Sequence, residues 1–198
     1  MTTPVTTKDK PRCAWCLKDP IYIQYHDAEW GRPVHDDAVL FEFLILESFQ
    51  AGLSWLTVLK KRENFRKAFA SFDVNKVARF DQKKVERLMQ DAGIIRNRLK
   101  IEAAINNARR FKEVQKEFSS FDRYVWSFTG GKPVVNRPRT LEDVPATSPI
   151  SDAMSKDMGK RGFKFRGSTI CYAFMQAVGI VDDHTTNCWR KKSADHPG

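Results

Sequence analysis

Long apolar runs are absent from this sequence: no stretch approaches the roughly 18 apolar residues that a membrane-spanning helix needs. The first residues, MTTPVTTKDKPR, also lack the apolar core of a secretory signal peptide. Hydrophobic residues make up 41% of the chain and charged residues 29%, which excludes both a membrane bundle and a disordered chain. We therefore expect a soluble, cytoplasmic, globular protein.

Cysteine is scarce, with four residues in a chain of 198. In the cytosol these cysteines are expected to be thiols or metal ligands, not disulfides. A chain of this length can bury roughly 70% of its unfolded surface, so stability requires no cross-link. No segment has the composition of a domain linker. The sequence predicts one globular domain at residues 12–189, between a tail at 1–11 and a tail at 190–198.

Acidic residues are also in deficit, because 24 Asp and Glu face 34 Lys and Arg and leave a net charge of +10. Such a surplus attracts polyanions through their phosphates and through release of counterions. Charge alone does not choose among RNA, DNA, an acidic membrane surface and simple solubility.

Sustained alternation of apolar and polar residues is missing too, whereas apolar spacings of three and four recur, which predicts an all-α fold. The segment AVLFEFLILESFQA follows Asp36 and Asp37 and is apolar on nearly every face, so it should form a central helix that ends at Gly52. The stretch GGKPVVNRPRTLEDVP predicts a long functional or connecting loop. Further helices are expected after Ser54, Asp73 and Asp81, from Asn97 through Phe118, and after Ser151 and Ser168.

Residues near the two ends of the chain have the spacing of a metal site. Cys13 and His26 form a Cys-x12-His pair, and His184 and Cys188 form a His-x3-Cys pair. Thiolate and imidazole are ligands that zinc prefers. Cys16 is a fifth candidate for four places, and scattered thiols with surface histidines are the alternative. A closed site of four protein ligands would be structural and would join the chain ends.

One carboxylate, Glu47, lies within the most apolar part of the chain, where an unpaired charge would cost several kcal/mol. It either faces solvent or a basic partner, or it forms the floor of a pocket for a donor-rich or cationic ligand. Aromatic residues are dense around it in sequence. Core packing is their default role, but electron-rich rings beside a carboxylate also suit a positively charged base. These residues are Trp15, Tyr22, Tyr25, Trp30 and Trp55.

The segment QDAGIIRNRLKI places Gly93 at a turn before a helix that begins with basic residues. A helix N-terminus offers free amides to a phosphate, which Arg96, Arg98 and Lys100 would reinforce, as in a helix-hairpin-helix element. Basic groups at 60–67 and 160–166 are possible flanking contacts.

Another cluster, at residues 35–37, suggests a hard-metal nuclease. It consists of His35, Asp36 and Asp37. A helix N-terminus explains the two acids more simply, because carboxylates are favoured there.

Several longer motifs occur in one order along the chain: RCAW at 12–15, YHDAEWG at 25–31, QAGLSW at 50–55, QDAGIIR at 90–96, KRGFKF at 160–165 and DH at 183–184. Together they resemble the bacterial 3-methyladenine DNA glycosylase I family, over a span from Arg12 to Cys188. The resemblance implies an all-helical member of the helix-hairpin-helix glycosylase superfamily that acts on alkylated duplex DNA in the cytoplasm, at the nucleoid.

The resemblance also implies roles for individual residues. The zinc ligands fall on Cys13, His26, His184 and Cys188, one ion per chain. The base-recognising glutamate falls on Glu47, and the aromatics that stack on the base fall on Trp55 and Tyr25, with Trp15 and Tyr22 beside them. Leu53 matches the residue that enters the duplex, and DNA contacts are expected at Gln50, Gly52, Leu53, Gly93, Arg96, Arg98 and Lys100.

The expected activity is hydrolysis of the N-glycosidic bond of 3-methyladenine, and of 3-methylguanine in second place, by a monofunctional enzyme. Methylation at N3 makes adenine positively charged and a good leaving group, so less catalytic power is required. The family lacks the aspartate that most of the superfamily uses, and helix capping or a loop turn accounts for Asp122 and Asp143. We expect a monomer without an obligate protein partner. A zinc-stapled DNA-binding module and a Mg²⁺-dependent nuclease are the competing hypotheses.

Overall fold

The computed structural model describes residues 10–191, so the predicted tail residues 1–9 and 192–198 lie outside the described part. Helices dominate, as the sequence predicts. Within residues 10–191 the α-helices are α1 (Pro20–Ala28), α2 (Asp37–Gln50), α3 (Trp55–Lys60), α4 (Arg62–Ala68), α5 (Val74–Val77), α6 (Gln82–Gln90), α7 (Arg98–Phe118), α8 (Phe121–Ser127), α9 (Pro149–Lys160) and α10 (Ser168–Ala177).

Short elements complete the architecture. Two 3-10 helices span Ala14–Lys18 and Ala70–Phe72. Two-residue strands β1 (Val134–Val135) and β2 (Val181–Asp182) pair in parallel, a small departure from the predicted all-α class. No helix in the described range is long and apolar enough to cross a bilayer.

Helix α2 is the centre of the core, as its sequence predicts. Its residues from Leu40 through Phe49 are all buried, and it packs against α3, α7, α8 and α10. Asp36 caps its first turn by accepting bonds from the Ala38 and Val39 amides at 2.8 and 3.0 Å. A helix that is apolar on every face can bury its side chains only if other elements pack around all of it.

Helix boundaries differ from the predictions where tertiary contacts decide them. The single helix expected after Ser54 is broken at Lys61, whose ammonium donates to the carbonyls of Ala92 and Gly93 at 3.0 and 3.3 Å. Helix α9 begins three residues earlier than expected, with Ser148 and Ser151 in a capping box. Helix α1 has no strongly amphipathic pattern, and the sequence did not predict it.

The two ends of the described chain meet on one side of the fold. The Trp189 amide donates to the Pro11 carbonyl at 2.8 Å, and the Gly31 amide donates to the Gln176 carbonyl at 3.0 Å. At Gly179 the backbone has φ +71°, and an added Cβ would lie 2.2 Å from the carbonyl carbon of Arg32. Glycine is therefore required there for the chain ends to approach each other.

Candidate functional site

The Cys and His residues predicted from the two chain ends converge on one point. The ligand atoms of Cys13, His26, His184 and Cys188 all lie within 4.8 Å of one another, and all four residues are buried. Three of the separations are 3.6 Å (Cys13 Sγ to His184 Nδ1), 3.4 Å (Cys188 Sγ to His26 Nε2) and 3.6 Å (Cys188 Sγ to His184 Nδ1). A tetrahedral zinc site has sulfur-to-nitrogen edges of about 3.5 Å, so a zinc ion would fit.

Outer hydrogen bonds orient both imidazoles toward this point. His26 Nδ1 pairs with Asp27 Oδ1 at 2.8 Å, and His184 Nε2 lies 3.2 Å from the Trp30 carbonyl oxygen. In each ring the other nitrogen therefore faces the cluster, an arrangement that metal-ligating histidines usually have. Burial raises the pKa of Asp27, but hydrogen bonds from Arg12 and His26 outweigh it and hold that pKa at about 2.

The two sulfur atoms of the cluster interact with each other and with backbone amides. The pKa of Cys13 is raised and that of Cys188 is lowered, in each case chiefly by the hydrogen bond between their two sulfur atoms. The Thr185 and Arg190 amides donate to these sulfurs, each at 3.4 Å. Cys16 is different, because its thiol donates to the Cys13 carbonyl at 3.1 Å and burial raises its pKa to about 11.

A cavity of about 890 Å³ lies beside the cluster, and it collects the predicted base-pocket residues. Trp15, Tyr22, Tyr25, Glu47 and Trp55 all line it, together with Gln50. The Tyr25 and Trp55 ring centroids are 5.5 Å apart, and Trp15 meets Tyr22 edge to face at 5.3 Å. The Tyr22 hydroxyl accepts a 2.8 Å bond from the Leu56 amide, which fixes the start of α3 against this wall.

Three buried polar atoms on the cavity wall have no hydrogen-bond partner among the described residues: Glu47 Oε2, the Tyr25 hydroxyl and Trp55 Nε1. Buried polar groups are nearly always paired, so three unpaired atoms in one cavity point to a ligand that pairs them. Burial raises the pKa of Tyr25 well above its usual value, and the charge of Glu47 raises it further.

Two buried carboxylates on α2 contrast sharply. Glu42 is held by Arg62 and Arg66, with Arg62 Nε at 2.5 Å and Arg66 Nη2 at 2.9 Å from Glu42 Oε1. Glu47 is only 4% exposed and forms no salt bridge among residues 10–191. Burial raises its pKa from 4.5 to about 8. Perturbed carboxylates in a cavity are typical of functional sites.

Two further residues of the cavity wall are Trp30, one of the aromatic residues noted near Glu47 in sequence, and Asp183, to which the sequence assigned no role. Trp30 lines the cavity and packs edge to face on His184 at 4.6 Å, so it joins the pocket to the Cys and His cluster. Asp183 is also buried on this wall, where its carboxylate accepts bonds from Asn136, Tyr172 and Gln176, each at 2.7 Å. Both belong to motifs quoted above, but their neighbours come from distant parts of the chain.

The turn between α2 and α3 carries Leu53, which is 42% exposed. Gly52 has φ +77° at the tip of this turn, and the Leu53 amide donates to the Gln50 carbonyl at 2.6 Å. Glycine is favoured at a position where the backbone is left-handed, as it is at the tip of this turn. The turn therefore presents an apolar side chain next to the cavity-lining residues Gln50 and Ser54.

Lys100 corrects the expectation of a phosphate contact at that position. It is 6% exposed, and its ammonium donates to the carbonyls of Phe49 and Ala51 at 2.8 and 2.5 Å. Burial lowers its pKa. Lys100 thus satisfies the last carbonyls of α2 and supports the Leu53 turn from below. The sequence could not show this because it depends on α7 packing under α2.

A methionine at Lys100 should therefore act on the turn and not on phosphate binding. Lys100→Met keeps the apolar stem but leaves two carbonyls without their donor, and we expect a loss of about 2 kcal/mol in the free energy of unfolding. The salt dependence of DNA binding should stay as in the wild type, because the substitution removes no interaction with phosphate. Denaturant titrations and binding measured at several salt concentrations check both points. A smaller salt slope in the variant would restore the phosphate assignment.

The turn between α6 and α7 uses several of its polar groups internally. The Gly93 amide donates to Asp91 Oδ1 at 2.8 Å, and Arg98 forms a bidentate pair with Glu86 at 2.9 and 2.8 Å. Asn97 caps α7 by accepting from the Lys100 amide at 3.1 Å. Arg96 is exposed and forms no salt bridge within residues 10–191, which makes it the basic side chain of this turn that is available to a phosphate.

The other basic groups separate into engaged and available residues. In the 60–67 group, Lys60 pairs with Asp19 at 2.7 Å, while Arg62 and Arg66 hold Glu42. In the 160–166 group, Arg161 is paired with Glu117 and Asp157, each at 2.6 Å. The exposed lysines that remain in these groups are Lys67, Lys160 and Lys164.

Residues of the competing nuclease hypothesis do not form a common site. Asp36 caps α2, and Asp37 accepts bonds from the Phe121 and Asp122 amides at 2.9 and 2.8 Å. His35 pairs with Asp122 at 2.7 Å on the surface. Within the described part of the chain, the group of Cys, His and acidic residues that could hold a metal is the one at the chain ends.

These observations define a class: a basic, mostly helical protein with a preformed aromatic pocket, one unpaired carboxylate and a Cys and His cluster that joins its ends. A model of the family described as methyladenine glycosylase matches residues 15–191, and the chain belongs to this family.

Individual relatives cover nearly the whole chain. DNA-3-methyladenine glycosylase 1 of Escherichia coli K12 is 54% identical over 177 residues, covering 89% of this chain and 95% of the relative. A crystal structure of 3-methyladenine DNA glycosylase I has a TM-score of 0.90 at 50% identity, covering 92% of this chain and 100% of the other. A structure of 3-methyladenine DNA glycosylase I from Staphylococcus aureus, which describes the basis of 3-methyladenine recognition by that protein, has a TM-score of 0.89 at 38% identity. The match covers 94% of this chain and 98% of the other.

Proposed function

We propose that this protein is a monofunctional DNA glycosylase that excises 3-methyladenine from alkylated duplex DNA and leaves an abasic site. The observation that carries the proposal is the group of three unpaired buried polar atoms, on Tyr25, Glu47 and Trp55, around one cavity. Family membership supports the same substrate class. The 3-methyladenine recognition described for the S. aureus relative supports it further.

The pocket chemistry suits a flat ring that carries positive charge. The damaged nucleotide would leave the base stack, and its base would enter between Trp55 and Tyr25. A cation is attracted to the faces of electron-rich rings and to a carboxylate, so the methylated base gains more there than neutral adenine does. Selectivity then follows from the charge that methylation places on the base.

Glu47 responds to that charge. With a pKa near 8 in the free protein, its carboxyl group is largely protonated at pH 7. A cation placed against it favours the ionised form and lowers this pKa. Recognition of the base and ionisation of Glu47 therefore reinforce one another. Because a methylated purine is already a good leaving group, this electrostatic contribution can support hydrolysis without a dedicated catalytic aspartate.

We assign the Cys13, His26, His184 and Cys188 cluster to one structural zinc ion per chain. Four protein ligands leave no coordination position for water, so the ion would supply cross-linking and not catalysis. Its effect on the site is positional, since Trp30 contacts both His184 and the pocket. The ligands hold residues from the first and last parts of the described chain at the cavity wall.

DNA contacts are assigned to two turns. The turn at residues 50–53 would place Leu53 in the duplex near the vacated base position. Helices α6 and α7, with Gly93 and Arg96 in the turn between them, would form a helix-hairpin-helix element that binds the phosphate backbone. Arg98 could contact a phosphate only after its ion pair with Glu86 breaks. We further propose a monomer that acts on bacterial chromosomal DNA in the cytoplasm, with 3-methylguanine as a weaker substrate.

Product analysis tests this proposal against its competitors. Methylated duplex DNA is incubated with the protein in two parallel reactions, one without Mg²⁺ and one with added Mg²⁺, and released bases are separated by chromatography. We expect free 3-methyladenine and strands that break only after alkaline treatment. Trp55→Ala should lower release by roughly 10-fold or more, because a stacked base loses about 1–3 kcal/mol without its aromatic partner. Binding without base release would favour a DNA-binding module, and Mg²⁺-dependent strand cleavage would favour a nuclease.

A further inference from the structure

The loop at residues 136–146 forms a wall of the cavity that the proposed contacts leave unexplained. It follows β1 and precedes α9. Its residues Arg139–Glu142 and Val144–Ala146 line the cavity. The sequence predicted a functional or connecting loop here without giving it a partner.

Hydrogen bonds hold this loop in one shape. Asp143 accepts from the amides of Arg139 and Thr140 at 2.8 and 3.0 Å, and the Val144 amide donates to the Leu141 carbonyl at 3.1 Å. The Thr186 amide donates to the Pro138 carbonyl at 2.9 Å. These bonds make a turn around residues 139–144 that is tied to the C-terminal segment.

The tip of this turn is an exposed leucine. Leu141 is 52% exposed and lines the cavity. Among the large exposed apolar side chains of residues 10–191, it is the one that does so. Leu53, 42% exposed, lies on a different turn next to the cavity-lining residue Ser54. One exposed apolar side chain thus lines the cavity, and a second lies on another segment directly before a lining residue.

Two basic side chains precede Leu141 in the same loop. Arg137 and Arg139 are exposed, and neither forms a salt bridge within the described residues. This differs from the 60–67 group, where Lys60, Arg62 and Arg66 are engaged by carboxylates. An apolar tip with available arginines beside it has the composition of segments that press against bases while contacting the phosphates on either side.

We propose that the 136–146 loop is a second DNA-contacting element, in which Leu141 packs against the base stack beside the vacated position and Arg137 and Arg139 contact phosphates. This inference rests on the proposed glycosylase function. Together with Leu53, Leu141 would border the extruded nucleotide from two sides and keep the neighbouring bases from closing the gap.

Binding to a duplex that contains a tetrahydrofuran abasic analogue tests the proposal without turnover. Leu141→Ala should weaken binding about five-fold, and Leu141→Met, which restores apolar surface, should bind within about two-fold of wild type. Val135→Ala is the matched control, because Val135 is 46% exposed and does not line the cavity.

The charge contribution is measured separately. In Arg137→Ala/Arg139→Ala, the slope of log affinity against log salt should fall by about 0.9 for each phosphate that is no longer neutralised. Lys116→Ala is the control and should leave the slope unchanged, because Lys116 is an exposed lysine in the last turn of α7 that does not line the cavity. Binding of the free 3-methyladenine base is measured in every loop variant, and it should fall much less than duplex binding does.

Two outcomes overturn the proposal. One is wild-type duplex affinity and salt slope in all loop variants, and the other is a loss of free-base binding as large as the loss of duplex binding, which would make the loop a pocket wall only. Release of 3-methyladenine from methylated duplex DNA by the wild-type protein is assayed in parallel. If that release is absent, the glycosylase function itself is wrong, a result distinct from a failure of the loop variants.

Discussion

Glu47→Gln is expected to raise the stability of the protein while it lowers base excision. Burial raises the pKa of Glu47 from 4.5 to about 8, so the fold favours the neutral carboxyl group. A shift of this size corresponds to about 5 kcal/mol of differential stability between the two protonation states. The stability associated with the neutral form is present below pH 4.5 and is lost as pH rises through 8. Glutamine is neutral throughout and avoids this loss.

Unfolding by denaturant between pH 4 and pH 9 measures the effect. The variant should equal wild type at pH 4 and exceed it by several kcal/mol at pH 9, with the difference growing between these values. Excision of 3-methyladenine should fall by about 10- to 100-fold, because the cationic base loses a charge-assisted partner.

Glu42→Gln is the matched control, since Glu42 is a second buried carboxylate on the same helix. It is paired with Arg62 and Arg66. Breaking a buried pair usually costs about 3–5 kcal/mol, so this variant should be less stable than wild type at neutral pH. A Glu47→Gln variant whose stability advantage does not change with pH would contradict a buried, unpaired carboxylate at this position.

Loss of the proposed zinc ion should produce the second large effect. In Cys188→Ala, the chain ends lose their common cross-link, and we expect a loss on the order of 5 kcal/mol in the free energy of unfolding. For a protein of this size that corresponds to a fall in melting temperature of about 10–20 °C. Calorimetry together with elemental analysis of the purified protein measures both quantities.

Cys16→Ala separates a ligand from a neighbouring thiol. Cys16 is as buried as the proposed ligands, but its thiol bonds to the Cys13 carbonyl. This variant should keep one zinc per chain and lose only about 1 kcal/mol. The zinc assignment fails if wild type carries no stoichiometric metal, or if Cys16→Ala loses its metal in the way that Cys188→Ala does.

The sequence predicts features that depend on local pattern or on residue type. The apolar segment of α2 predicts a central helix. Because Glu47 lies within that segment, the sequence alone indicates an unusual buried carboxylate. Spacing left Cys16 as an alternative ligand, and the resemblance selected His26. The structure brings the ligand atoms of Cys13, His26, His184 and Cys188 together.

Features that depend on packing between distant segments could not be predicted. Lys100 follows a basic turn in sequence, yet its ammonium lies under α2 and bonds to Phe49 and Ala51. Arg98 was expected to contact phosphate and is paired with Glu86 from the preceding helix. Asp183 and Leu141 reach the cavity because the C-terminal segment and the 136–146 loop fold against it. No pattern within a short stretch of sequence predicts these contacts between distant segments.

The most direct test of the proposed mechanism is chromatography of the purine bases that wild type and Glu47→Gln release from one sample of methylated duplex DNA. We predict that wild type releases 3-methyladenine and no detectable unmodified adenine, and that Glu47→Gln releases 3-methyladenine far more slowly without gaining adenine. Release by Glu47→Gln at the wild-type rate, or no release of 3-methyladenine by wild type, would contradict the claim that this carboxylate reads the positive charge of the damaged base.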